Sequence, residues 1–331
     1  MDRRIGERQR WAWLAAGLSS AIGACLCGLG WIWVLAGGAL VSIYYIYMDF
    51  RLPAKGLAAM LPAVWGRVGA IMLGVALLWA VLVMAWAANL ADGAFPMVNG
   101  FPVLGWTLLA MAAWGSWKGV GACARSSGVL CLFLIALYGV VAVFAVPDMQ
   151  WENLIPTNRG QDGIITAGVF LLPAAVWFVP CTRSRKRPAW EMAVILPLSA
   201  AALAAITAGV LSPVLAYSLP SPLYTLAQSV SLFGVVERIE PLLSAAMTMG
   251  VFSLLSAMAC ACRCLWEQFR PWRWSGVFCC IAAAALMGWA GKLDFIVLSI
   301  GSSIVWLAIP LLTLWIGGKK EKETRDSGTN G

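Results

Sequence analysis

The chain has 331 residues, of which 61% are hydrophobic and 11% are charged, and its mean hydropathy is +0.83. A soluble domain of this length does not need so many apolar residues, so these values exclude a water-soluble fold and indicate that the solvent is lipid. The net charge of +8 does not indicate nucleic-acid binding, because the basic residues fall in short loops rather than on one face. Histidine is absent, which excludes a histidine proton relay and removes the commonest metal ligand, so we predict no metal and no cofactor.

The hydropathy pattern predicts ten transmembrane helices, because a helix needs about 20 apolar residues to cross a bilayer. The apolar runs are too long and uniform for barrel strands, so we expect an all-α integral membrane protein. In chain order the predicted spans are residues 11–26, 31–48, 68–90, 102–117, 127–146, 164–180, 190–211, 241–263, 274–291 and 295–316. They form one membrane domain over residues 1–317, and the charged residues 318–331 are predicted to be a disordered cytoplasmic tail.

A different kind of segment precedes the eighth span. Residues 222–236 predict a helix that lies at the membrane surface, and the uncharged run after Pro241 predicts a helix that crosses the bilayer. The junction carries the densest charge cluster on the predicted outer side, which consists of Glu237, Arg238 and Glu240. We interpret this cluster as structural or as coupling to partners; alternatively, it only marks the water-facing end of a span.

The distribution of positive charge predicts the orientation. With the N-terminus in the cytoplasm, the ten spans leave only Arg159, Arg238 and Lys292 of the 23 lysines and arginines on the outer side. Cytoplasmic loops of membrane proteins carry an excess of lysine and arginine. We therefore expect a multi-pass protein of the cell membrane with both termini in the cytoplasm.

Ten spans divide as five plus five, and an odd number in each half inverts the second half relative to the first. This is the inverted-repeat plan of many secondary transporters, in which the first helix of each half is broken near the midplane at the ligand site. Spans one and six are both short, and both carry glycine or proline. The alternative is that glycine and proline are common in membrane helices for other reasons.

This plan predicts a ligand pocket between spans one, three, six and eight. The candidate ligand-binding residues are Ser19, Ser20, Gly23, Asn89, Pro173, Ser253 and Ser256. Hydrogen bonding between helices is the alternative role for the polar members of this set.

Several features argue against an enzyme. No nucleophile–base pair is recognisable, and the carboxylates Asp49, Glu191 and Asp294 lie at span ends rather than as a pair within a span. None of the ten cysteines lies in a long outer loop, so no disulfide framework is indicated. We expect Cys260, Cys262 and Cys264 to be small apolar fillers.

Four short segments resemble a known family. They are Glu7-Arg8-Gln9, Lys118-Gly119 with Ala124-Arg125, Asn153-Leu154-Ile155-Pro156, and the set Pro222, Leu226, Ala227, Ser231, Glu237, Arg238 and Glu240. In these segments the chain resembles the spore germination permease family, the B-type subunits of nutrient germinant receptors. That family belongs to the amino acid–polyamine–organocation superfamily, and the resemblance covers most of the chain.

The resemblance implies a ten-span transporter-like fold in the spore inner membrane. It implies a sensor of a small nutrient such as an amino acid, which works with a larger membrane subunit and a lipoprotein subunit. It also implies structural or coupling roles for Lys118 and Arg125, in addition to the charged cluster before the eighth span.

The chain also departs from the family pattern. Gln228 stands where the family often has arginine, and both the turn after span one and span six are shortened. These departures leave open a divergent member with an altered or lost pocket. A secondary transporter for an amino acid or cation, and a scaffold subunit without a ligand, remain as alternative functions.

Overall fold

The computed structural model describes residues 5–24, 26–52, 54–93, 103–155, 162–182, 190–219, 222–229 and 240–317. These residues are almost entirely helical. The α-helices, numbered in chain order, are α1 Glu7–Ala24, α2 Trp31–Arg51, α3 Leu57–Trp65, α4 Arg67–Gly93, α5 Val103–Lys118, α6 Val120–Ala145, α7 Asp162–Leu171, α8 Trp190–Leu211, α9 Pro213–Ser218, α10 Pro222–Ser229, α11 Glu240–Glu267, α12 Ser275–Ala290 and α13 Phe295–Ser303. Short 3₁₀-helices cover Leu26–Gly28, Val146–Asp148, Trp151–Leu154 and Leu172–Phe178. After α13 the helix continues through a π-helical segment at Ile304–Ala308.

Six helical segments of the described chain are long and apolar enough to cross a membrane. They are Trp31–Arg51, Arg67–Ala91, Val120–Asp148, Ala193–Leu211, Leu242–Glu267 and Phe295–Gly317, and two shorter apolar helices cover Asp162–Phe178 and Ser275–Ala290. The protein is therefore an α-helical multi-pass membrane protein, which confirms the coarse prediction. The described part of each of the ten predicted spans is largely helical. The number of spans and the side of the termini stay predictions.

The helices differ most from the prediction at α6, α3 and α9. Helix α6 begins at Val120, well before the predicted start of the fifth span, because Gly119 has a φ of +118° and turns the chain there. The segments of α3 and α9 had no predicted helix, since each is too short to cross a bilayer. Of the predicted surface helix, Pro222–Ser229 is helical as α10, and the rest lies outside the described residues, as does the tail at 318–331.

Several contacts between helices recur when the two halves of the chain are exchanged, although the extensive contact of α1 with α11 has no comparable counterpart between α7 and α4. This exchange replaces α1 by α7, α2 by α8, α4 by α11, α5 by α12 and α6 by α13. Helix α1 packs on α6 as α7 packs on α13, and α4 packs on α12 as α11 packs on α5. Under this exchange each helix of the pairs α2–α8, α4–α11 and α5–α12 takes the place of its partner. The two helices of each pair are in contact.

Contacts distant in the chain bring the loops together in two groups, one at each end of the bundle. At one end Ile5–Gly6 pairs in parallel with Cys181–Thr182, and the backbone N–H of Cys181 donates to the carbonyl of Ala54 at 3.0 Å. At the other end the N–H of Gly30 donates to Asp162 at 3.2 Å. The first group contains only segments that the charge distribution assigns to the cytoplasm, and the second only segments that it assigns to the outside.

The expected helix break is present in the sixth predicted span but not within the first. Helix α7 ends at Leu171 and the chain continues as the 3₁₀-helix Leu172–Phe178, whose second residue is Pro173. Proline has no N–H to donate and disfavours a continuous α-helix. Helix α1 is α-helical from Glu7–Ala24 and contains no proline, so the expected break in the first span is wrong for these residues.

Candidate functional site

Three elements meet closely at the centre of the predicted transporter-like bundle. These elements are α1, the 3₁₀-helix Leu172–Phe178 and α11. A Cβ atom placed on Gly17 would lie 3.2 Å from the Cβ of Pro173 and 3.6 Å from the Cα of Leu254. Glycine at position 17 thus lets α1 approach both partners, and Pro173 is buried in this contact.

Ser253 and Ser256 lie on α11 beside this contact, and both are bonded to α1. The indole Nε1 of Trp13 donates to the carbonyl of Ser253 at 3.0 Å and to the hydroxyl of Ser256 at 3.2 Å. The Ser256 hydroxyl in turn donates to the carbonyl of Ser253 at 2.9 Å. These bonds give Ser256 a structural role between α1 and α11.

The side chain of Ser253 differs from that of Ser256. Its Oγ is fully buried and has no hydrogen-bond partner among the described residues. Buried polar groups in proteins are nearly always hydrogen-bonded, so this hydroxyl is open to a ligand or a water molecule, as are the buried hydroxyls of Ser127 and Thr166. Among the sequence-predicted residues whose surroundings the structure describes, Ser253 has a side-chain hydroxyl that is available for a ligand.

On α1, Ser19 is the predicted ligand-binding residue whose surroundings the structure describes. Its hydroxyl donates to the carbonyl of Ala16 at 2.6 Å, and its own carbonyl accepts a bond from the Tyr138 hydroxyl at 2.8 Å. Ser19 therefore joins α1 to α6. Ser20 and Gly23 belong to α1, but their surroundings lie outside the described part of the structure.

Asn89 lies apart from the other candidates. Its amide Nδ2 donates to the carbonyl of Ala85 at 3.1 Å within α4 and to the carbonyl of Met287 on α12. The structure therefore places Pro173 against Gly17 of α1, bonds Ser253 and Ser256 to Trp13 of the same helix, and places Asn89 at the α4–α12 contact. This is the helix-to-helix hydrogen bond that was the alternative role for polar residues.

The break between α7 and the 3₁₀-helix is supported by a tyrosine of α2. The carbonyl of Phe170 lies where the helix changes from α to 3₁₀, and the buried hydroxyl of Tyr45 donates to it. The Tyr45 ring packs against Trp11 and Trp177, with centroid distances of 6.2 Å and 5.8 Å. These aromatic rings fill the space between the central contact and the end of the bundle that carries Cys181.

A buried ion pair closes the bundle at that end, and sequence reasoning missed it. Nη1 of Arg10 lies 3.6 Å from Oδ1 of Asp49, and the two side chains are only 4% and 6% exposed. Nη2 of Arg10 donates to the carbonyl of Val179 at 3.4 Å, and its guanidinium lies 4.8 Å from the centroid of the Trp177 ring. Arg10 thus joins the start of α1 to the end of α2 and to the end of the 3₁₀-helix.

One sequence signal points to this pair. Arg10 directly precedes the first predicted span and Asp49 directly follows the second, so the two spans form a hairpin that puts both residues at one level. An acid and a base at the same end of neighbouring membrane helices are expected to pair, because a lone buried charge is costly.

The predicted structural residues Lys118 and Arg125 lie at the same end of the bundle. Both are exposed, and the Nζ of Lys118 lies 5.6 Å and 5.4 Å from the ring centroids of Trp114 and Trp117. Glu237 and Arg238 lie outside the described residues. Glu240 begins α11, and its side chain also lies outside the described part.

Comparison with known proteins adds no family to this geometry. No family model matches the chain, and no curated protein is similar enough to count as a relative.

Proposed function

We propose that the protein is a membrane subunit of a spore nutrient-germinant receptor, with a ten-helix, transporter-like bundle that senses a small nutrient such as an amino acid. Three observations support the bundle plan. Several helix contacts recur when the two halves are exchanged, and the sixth span changes from α to 3₁₀ at Pro173. The loops predicted to be cytoplasmic meet at one end of the bundle, and the loops predicted to face outward meet at the other. Inverted-repeat transporters place their ligand at such a broken helix.

The observation that carries the proposal is the buried hydroxyl of Ser253, which has no partner among the described residues and lies on α11, the helix that packs against the 3₁₀-helix. An amino acid has charged groups that accept or donate hydrogen bonds, and such a group would satisfy this hydroxyl. The close contact of Gly17 with Pro173 leaves little room, so a ligand must bind to a conformation in which α1 and the 3₁₀-helix separate. A ligand that binds that conformation better shifts the population toward it, and the proposed partner subunits, a larger membrane protein and a lipoprotein, would respond to this shift.

A secondary transporter is the second candidate, because the Arg10–Asp49 pair closes one end of the bundle and an alternating-access cycle would open it. Proteoliposomes distinguish the two functions. Uptake of an amino acid that depends on an ion gradient favours the transporter, whereas saturable binding without uptake favours the sensor. Neither function requires catalysis, and we propose none.

The membrane orientation gives a first prediction. Ile155 is 73% exposed in the loop that is predicted to face outward, and Arg273 is exposed at the opposite end. The variant Ile155→Cys is expected to react with a membrane-impermeant thiol reagent in intact cells, and Arg273→Cys only after permeabilisation. The described native cysteines are buried, so a background in which only Cys25 is replaced by serine is sufficient. If Arg273→Cys but not Ile155→Cys is labelled in intact cells, the orientation is the opposite of the predicted one.

The central site gives a second prediction. We expect one member of an amino-acid panel to raise the midpoint of thermal unfolding of the purified protein, because a ligand of the native state stabilises it. Ser253→Ala should leave the midpoint without ligand near the wild-type value and weaken that ligand's affinity roughly three- to tenfold, the worth of one hydrogen bond.

Ser256→Ala is the matched control for this experiment. It removes one acceptor of the Trp13 indole, so it should lower the free energy of unfolding by about 1 kcal/mol and lower the midpoint accordingly. The affinity for the ligand should stay nearly unchanged. If no amino acid raises the wild-type midpoint, the scaffold function is favoured. If Ser253→Ala binds the ligand normally, the pocket lies elsewhere.

A further inference from the structure

A cleft of about 930 Å³ opens at the end of the bundle that carries the turn between α5 and α6. It is separate from the central contact around Gly17 and does not depend on the function proposed above. Four basic side chains and one acidic side chain contribute to its wall, namely Lys118, Arg125, Arg263, Arg273 and Glu267.

The charge of this cleft is not balanced within the described part of the chain. Arg263 pairs with Glu267 at 3.1 Å and donates to the carbonyl of Ser116 at 2.6 Å, so these two charges neutralise each other. Lys118, Arg125 and Arg273 are exposed, and none forms an ion pair with another described residue. Three positive charges therefore face the cleft and favour an anionic ligand.

The opposite wall of the cleft is apolar and belongs to the outer face of α5. Met111 and Trp114 line the cleft and are 53% and 62% exposed, and the exposed stripe continues along α5 through Trp106 and Val103. In a membrane protein such a stripe is covered by acyl chains, because lipid is the apolar solvent around it.

Aromatic residues stand where these two walls meet. The rings of Trp117 and Trp274 stack at a centroid distance of 5.5 Å, and Trp274 is half-exposed. Tryptophan is enriched at the level of the lipid headgroups. The cleft thus has a basic wall at headgroup level and an apolar wall that faces the acyl chains. A free phosphate would use only the basic wall, and a soluble acidic peptide would leave the apolar wall uncovered.

We propose that this cleft binds one anionic phospholipid of the cytoplasmic leaflet, with its phosphate among Lys118, Arg125 and Arg273 and an acyl chain along Met111 and Trp114. Basic pockets between membrane helices at the cytoplasmic side are a recurrent form of anionic headgroup site. The neutral Arg263–Glu267 pair forms the inner wall and holds α11 against α5 through the carbonyl of Ser116.

Native mass spectrometry of the full chain in detergent tests the proposal, with phosphatidylglycerol and phosphatidylcholine of identical acyl chains as probes. We expect one tightly held phosphatidylglycerol for each wild-type protein. The cleft variant Lys118→Gln/Arg125→Gln/Arg273→Gln should bind it about 100-fold more weakly, since each cation near an anionic lipid contributes roughly fivefold. Binding of phosphatidylcholine should be weak and unchanged.

A control variant of equal net charge separates a specific site from general attraction. Arg51→Gln/Lys55→Gln/Arg67→Gln removes three exposed cations that do not line the cleft. We expect this variant to lose less than about threefold in affinity for phosphatidylglycerol, because its cations lie outside the site. An equal loss in the two triple variants would overturn the proposal.

Two further measurements identify the source of the phosphate and guard against misfolding. Inorganic phosphate or glycerol phosphate at millimolar concentration should not displace the bound lipid; displacement would indicate a site for a soluble anion and overturn the proposal. Met111→Ser keeps every cation and changes an exposed side chain, so it should fold normally and still bind phosphatidylglycerol several-fold more weakly than wild type. Unchanged binding by Met111→Ser would exclude the proposed position of the acyl chain.

Discussion

Replacement of Arg10 by methionine is expected to lower the stability of the folded protein by about 3–5 kcal/mol, the usual cost of removing one partner of a buried ion pair. The methionine keeps most of the apolar stem but leaves the Asp49 carboxylate buried without its cation. It also removes the donor to the carbonyl of Val179 and the cation over the Trp177 ring. The effect is measured as the midpoint of thermal unfolding of the detergent-solubilised protein, with size-exclusion chromatography as the readout of the folded fraction.

Two variants separate the ion pair from a general effect of charge removal. Arg8→Met lies on the same helix two residues away, but Arg8 is exposed, so its stability should change by less than about 0.5 kcal/mol. The double variant Arg10→Met/Asp49→Leu removes both charges and should recover much of the loss, because neither charge is then left buried alone. A double variant less stable than Arg10→Met would show that the pair does not account for the cost.

Gly168→Ala is expected to lower the yield and the stability of the folded protein, although it adds a single methyl group. A Cβ atom at this position of α7 would collide with the backbone Cα and the side chain of Ser299 on α13. A backbone atom cannot rotate away, so the two helices must separate, and overpacking of this kind costs about 1–3 kcal/mol or more. The hydroxyl of Ser299 also donates to the carbonyl of Ile165 at 3.2 Å, and helix separation would break this bond.

The yield of monodisperse protein and its unfolding midpoint test this expectation. Gly74→Ala in α4 is the matched control, because nothing lies within 4 Å of a Cβ atom placed there. Alanine favours a helix by up to about 1 kcal/mol over glycine, so the control should be as stable as wild type or slightly more stable. Similar yields for both variants would show that α7 and α13 do not approach this closely.

The membrane class and the positions of the helices follow from the sequence, because both depend on properties that are local in the chain. An apolar run must be long enough to cross the bilayer, and its backbone must satisfy its hydrogen bonds within the helix. The alternation of basic loops is equally local and gives one consistent orientation. Pro173 also marked the broken helix, since proline lacks the N–H that a continuous helix needs.

The partners of individual side chains could not be read in this way. Asn89 was a candidate for the pocket, but it bonds across to Met287, and the sequence does not indicate which face of α4 meets α12. The sequence showed Arg10 only as one of many cytoplasmic charges. The pair with Asp49 forms because the start of α1 and the end of α2 lie at the level of Val179.

The sequence by itself determined a helical membrane protein and the approximate places of its longer helices, and it predicts the side on which the positive charge collects. The tertiary structure alone decided that Gly17 meets Pro173, that Ser253 keeps an unpaired hydroxyl and that three cations share a cleft beside Trp114. The physical reason is that hydropathy is summed along one segment, whereas these contacts join residues far apart in the chain. In lipid, the helix faces that meet are selected by small residues and hydrogen bonds rather than by apolar burial, so hydropathy carries little information about them.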